Sequence, residues 1–151
     1  ELDDAVSLAK QCPETVFILD HCGNADPNII NGESVGKEEI WGLLYEHTKS
    51  GWEDSIGELG SLSNVICKIS GIVARAELGW TEAHLAPTVN HCLDSFGSER
   101  VVFGSDWPVC LFGSDLKGWV TAYRHILGER DTDFQHNAMH RTAKRVYSLD
   151  E

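Results

Sequence analysis

The chain has 151 residues, 42% of them hydrophobic, with 24 acidic side chains against 12 basic ones and a net charge of −12. That length suits one domain with a real core, and five Trp, five Phe and three Tyr exclude a disordered or low-complexity chain. Because the acidic excess is spread along the sequence, nucleic acid and anionic membrane surfaces are excluded as partners, and no apolar run approaches the roughly 20 residues of a bilayer span.

Residues 1–151 read as a single domain that opens on a helix. "LDDAVSLAKQ" (2–11) places Leu2, Val6, Leu8 and Ala9 at roughly helical spacing, with acids early and Lys10 late, before Pro13 blocks continuation. "TVFILD" (15–20) is a short β-branched and aromatic run, as in a strand buried on both faces. "HCGNADPNIINGES" (21–34) has the Gly, Asn, Asp and Pro density of a long loop. The stretch 36–62 predicts one or two helical pieces, broken near Ser50-Gly51. "NVICKIS" (64–70) is a second strand, and 81–97 a helix with Thr81 as cap, Gly97 as stop and Pro87 in its first turn or at a kink. "RVVFGS" (100–105) is a third strand, followed by helices over 115–127 and from about 133 to 147. Such α-β alternation predicts a parallel sheet with crossover helices.

Five cysteines, at 12, 22, 67, 92 and 110, form no Cys-x-x-Cys pair. They read as reduced packing residues of an intracellular, cytoplasmic protein. No secretory signal opens the chain, and Glu1 leads directly into the first helical pattern, as expected of a segment cut from a longer protein.

In a parallel sheet the loops after the strands share one rim, where ligands bind. Here the first strand ends in Asp20-His21, the second carries Lys68 with Ser70 near its end, and the third ends in Asp106. A site that activates water needs a base within hydrogen-bond reach of it, and a metal that does so needs imidazole or carboxylate ligands. His21 and Asp106 could each be ligand or base, with Lys68 the cation for a developing oxyanion. Each also has a structural reading: His21 as a loop residue or helix cap, Lys68 as a strand residue facing solvent, Asp106 as a turn former before Trp107-Pro108. Asp20 reads as an acceptor for loop backbone, or, in a non-catalytic regulatory α/β module, as a phospho-acceptor. His47, His84, His91, His125, His136 and His140 fall on predicted helices and read as surface or packing residues. Phe103-Gly-Ser-Asp106 recurs as Phe112-Gly-Ser-Asp115, where Ser114 or Asp115 reads as a helix cap.

"FILDHCGN", "NVICKISGI" and "FGSERVVFGSDWPV", in that order and followed by "TAKRVYSL", resemble the C-terminal half of the amidohydrolase-related family. The resemblance extends from about residue 5 to 149 and points to the branch of sugar-acid lactonases and metal-dependent TIM-barrel hydrolases. It implies an α/β fold in which this chain forms the last three βα units of an incomplete (β/α)8 barrel. It implies that His21 and Asp106 bind a divalent metal such as zinc, that Asp106 is the general base, that Lys68 acts beside them, and that Trp107 walls the substrate pocket. A small-molecule lactone is the substrate so implied; a pseudoenzyme that keeps the barrel without the chemistry is the alternative. The family's His-x-His motif and its first five strands have no counterpart here. The chain is therefore expected to need a missing N-terminal half, or a second copy, to complete the barrel, and to be inactive alone.

Overall fold

The computed structural model describes residues 1–32 and 48–149, with the backbone of 39–40 and 43–44. Its elements in chain order are α1 (Leu2–Gln11), β1 (Phe17–Leu19), α2 (His21–Asn24), α3 (Pro27–Ile30), β2 (Glu39–Ile40), β3 (Leu43–Leu44), α4 (Lys49–Ser61), β4 (Val65–Ile69), α5 (Glu82–Phe96), β5 (Val101–Phe103), α6 (Leu116–Leu127), α7 (Thr132–His136) and α8 (Thr142–Val146). The three expected strands form one parallel sheet in the order β1-β4-β5.

Register divides the sheet into two faces. Phe17 aligns with Val65, Leu19 and Val101 with Cys67, and Phe103 with Ile69; these side chains join the main core. Alternation puts Ile18, Ile66, Lys68 and Val102 on the opposite face. The helices stack in sequence, α1 against α4, α4 against α5 and α5 against α6. Trp119 and Tyr123 of α6 pack on Phe103, with Tyr123 stacked at 4.7 Å between ring centroids.

The N-terminal edge of the sheet is tied by hydrogen bonds to carbonyls. Asn64 Nδ2 donates to the carbonyls of Ala9, Cys12 and Thr15, joining the end of α1 to the start of β4. Arg100 donates to those of Gly60, Leu62 and Val65. This edge is structural, which leaves the C-terminal edge for ligands.

Several expectations are corrected. β1 is not buried on both faces: Ile18 is 37% exposed, because among the described residues β1 pairs on one side only. Leu8 of α1 faces solvent, while Val6 and Ala9 are buried. The loop after β1 contains α2 and α3; Asp26 caps α3 by accepting from the Asn28 N–H at 2.9 Å, with Pro27 at the first helical position, which needs no donor. The helical reading of 36–62 fails at Glu39–Ile40 and Leu43–Leu44, where β2 and β3 form a two-residue antiparallel ladder. Ser50-Gly51 is a helix start and not a break, since Thr48 caps α4 by accepting from the Gly51 N–H. Pro87 lies in the second turn of α5, six residues beyond the Thr81 cap and not in its first turn; at the cap the His84 ring accepts from the Thr81 N–H. Asp115 caps α6 as expected, accepting from the Gly118 N–H at 2.6 Å.

Candidate functional site

Directly after β1 the backbone makes one turn of left-handed helix. His21, Cys22, Gly23 and Asn24 have φ of 54°, 53°, 66° and 61°. For residues with a Cβ this conformation costs roughly 1–2 kcal/mol each, so the surroundings must impose it. They do so from three sides. His21 Nδ1 and Ser70 Oγ are 2.9 Å apart; the buried Trp52 Nε1–H donates to the Cys22 carbonyl at 2.9 Å; and the Arg75 guanidinium bonds Asn24 Oδ1. The Ser70 contact occupies one ring nitrogen of His21 and leaves Nε2 for a ligand or a water.

Gly71 completes this arrangement. Its φ is 73°, and a Cβ there would stand 2.6 Å from His21 Nδ1 and 2.9 Å from His21 Cβ. Gly71→Ala is therefore expected to displace the imidazole and to lower stability by about 1–3 kcal/mol. Urea denaturation checks this; a variant as stable as the parent would show that the two segments do not need this close approach.

Lys68 does not point to open solvent. Its ammonium lies 2.7 Å from Asp20 Oδ1, and its stem runs against Gly104, where a Cβ would meet Lys68 Cε at 3.0 Å and Ser70 Cβ at 3.2 Å. Asp20 thus holds the lysine across β1 and β4. Its side chain does not cap α2, contrary to its reading as a backbone acceptor. Lys68, Ser70 and Gly104 share a face, and His21 joins them through Ser70.

Asp106 lies two residues beyond Gly104, with φ 54°, and its carbonyl accepts from the Cys110 N–H at 3.0 Å. Among the described residues no hydrogen bond or ion pair occupies its carboxylate. The Trp107-Pro108 peptide is cis, and Trp107 is 65% exposed. With the exposed Val109, Leu111 and Phe112 it forms an apolar margin beside the strand end.

The other described histidines contact protein groups. His91 Nε2 bonds the Glu53 carbonyl, joining α5 to α4; His125 pairs with Glu82; His136 stacks on His140. His47 lies outside the described residues.

The donor chemistry fits a divalent ion in part: His21 offers Nε2 and Asp106 a carboxylate. Among the described residues, however, the sulfurs of Cys22, Cys67 and Cys92 make up the one group of three or more such donors gathered within 4.8 Å of one another. All three thiols are buried, on the helix side of the sheet behind His21. Hydrogen bonds from Cys67 and then Cys92 hold the Cys22 thiol well below its usual range; contact with Cys22, together with burial, pushes Cys67 and Cys92 up. No Cys-x-x-Cys spacing announces this cluster. The available signal was that Cys67 alternates with Lys68, so the two must face opposite sides of β4.

The fold and these groups define an α/β protein whose ligand-capable side chains gather at the C-terminal edge of a parallel sheet. The sequence pattern of the amidohydrolase family (Amidohydro_2) matches residues 2–149, and the chain belongs to that family. It is 27% identical to an L-fucono-1,5-lactonase of Burkholderia multivorans over 157 residues, covering 98% of this chain and 51% of that protein. It is 31% identical over 111 residues to an L-fucono-1,5-lactonase of Burkholderia ambifaria, covering 69% of this chain and 30% of that protein. A crystal structure of a B. multivorans amidohydrolase with bound zinc superposes with a TM-score of 0.79 at 27% identity, over 99% of this chain and 49% of that one. The chain thus spans about half the length, or less, of the relatives it matches. Among the described residues no helix is long and apolar enough to cross a membrane.

Proposed function

We propose that this chain forms the last three βα units of a (β/α)8 barrel and carries one side of a hydrolase site for a small sugar lactone. The observation that carries the reading is conformational. Two of the candidate groups, His21 and Asp106, are non-glycine residues held at positive φ beyond the ends of β1 and β5, the strands that flank β4 with its Lys68. Membership of the amidohydrolase family and similarity to proteins named L-fucono-1,5-lactonase support the reaction class.

In this mechanism Asp106 removes a proton from water as the oxygen attacks the lactone carbonyl carbon. Lys68, steadied by Asp20, faces the carbonyl oxygen as it gains charge, or a carboxylate of the substrate. His21 orients the water through Nε2, its other nitrogen being fixed by Ser70. The ring C–O bond then breaks, and the leaving oxygen takes up a proton to give the open hydroxy acid. A divalent ion, zinc or similar, held by His21 and Asp106 with further ligands, would polarise the carbonyl and acidify the water. Trp107 walls the substrate side.

A closed barrel takes about eight strands, so the remainder comes from upstream chain, a partner or a second copy, and these 151 residues alone are inactive. The test is a panel of sugar-derived 1,4- and 1,5-lactones, L-fucono-1,5-lactone among them, assayed with the complete protein. Turnover of at least one lactone is expected. Failure on every lactone by a folded, zinc-supplied protein would favour a barrel that has lost its chemistry.

A further inference from the structure

We propose that Cys22, Cys67 and Cys92 form a trithiolate binding site for a soft, thiophilic d10 metal ion, separate from the hydrolytic edge and on the other face of the sheet. The three residues come from three elements, the left-handed turn, β4 and α5, and their sulfurs all lie within 4.8 Å of one another. A metal–sulfur bond of about 2.3 Å in a planar three-coordinate site places sulfurs about 4 Å apart, so the cluster needs little movement to close on an ion. Soft thiolates select copper(I), zinc and their heavier relatives over magnesium or calcium.

Three thiols could serve as small apolar residues, but among the described residues two buried hydroxyls lack a hydrogen-bond partner. The Tyr123 hydroxyl is fully buried and has no hydrogen-bond partner. Burial first, and then Cys22, Cys67 and Cys92, push its phenol well above the ordinary range. A buried phenol is normally hydrogen-bonded. The Ser70 main chain also helps to hold the Cys22 thiol below its usual range. The hydroxyl of Thr88, one helical turn before Cys92, is a second buried group without a partner.

Loading exchanges up to three S–H bonds for metal–sulfur bonds, and the protons pass to solvent. It fastens the turn that carries His21 to β4 and α5.

The test uses cadmium ion added to the full chain after reduction and chelator treatment. One equivalent is expected to bind with an ultraviolet thiolate-to-cadmium charge-transfer band, and X-ray absorption should show a shell of three sulfurs. The band should persist in the His21→Asn/Asp106→Asn double variant and vanish in Cys92→Ala. A cadmium shell dominated by oxygen and nitrogen in the unmutated chain would overturn the proposal, even if Cys92→Ala fails to fold. So would the absence of a band, or a band that survives Cys92→Ala.

Discussion

Asp106→Asn in the complete protein is expected to lower kcat on its lactone about 10³-fold, within the roughly 10²–10⁴-fold range for loss of a positioned base. KM should change little, because the carboxylate acts as the water attacks and not in holding the substrate. The substitution isolates the charge. Asn is nearly isosteric with Asp and is among the residues that best tolerate left-handed φ, so the 54° conformation survives. The Asp106 carbonyl keeps its bond from the Cys110 N–H, and with it the start of the segment that follows. An unchanged melting temperature with a collapsed kcat is the expected pair of results. Undiminished kcat would remove Asp106 from the chemistry.

Trp52→Ala should have the largest effect on stability, about 3–5 kcal/mol in urea denaturation, as for other aromatic-to-alanine changes in a core. Trp52 is wholly buried on α4, lies 5.0 Å from the His91 ring, and donates to the carbonyl of Cys22. Truncation therefore opens a cavity and also releases the strained turn beside His21. Trp52→Phe separates the two effects. It keeps most of the volume but orphans a buried carbonyl, for about 1–3 kcal/mol. If Trp52→Phe is as stable as the parent, the indole N–H does not hold the turn.

The sequence made much of this fold legible through its period. "TVFILD", "NVICKIS" and "RVVFGS" are short β-branched and aromatic runs, and each contains an observed strand. The capping logic that placed α6 after Asp115 also held. What could not be read were features that depend on distant partners. The left-handed turn at His21–Asn24 resembles a loop in sequence, and what imposes it lies at Trp52, Ser70 and Arg75. Asp20 gave no sign of its bond to Lys68, because β1 and β4 are paired through a crossover about 45 residues long. The stretch 36–48 carried leucines and isoleucine at spacings that suit a helix as well as a hairpin, and a two-residue ladder is too short for alternation to declare itself. The cysteine cluster was hidden for the same reason: its members sit 45 and 25 residues apart in the chain, and only the packing of α5 on β4 joins them.

His21 and Asp106 act on one water only if strands distant in sequence present them to a common cavity. A double-mutant cycle on kcat/KM reads this coupling. His21→Asn and Asp106→Asn are each measured, and then combined, in the complete protein. Groups that share a water give a combined loss close to the larger single loss, which is the result expected here; losses that multiply in full would mean that the two residues work apart.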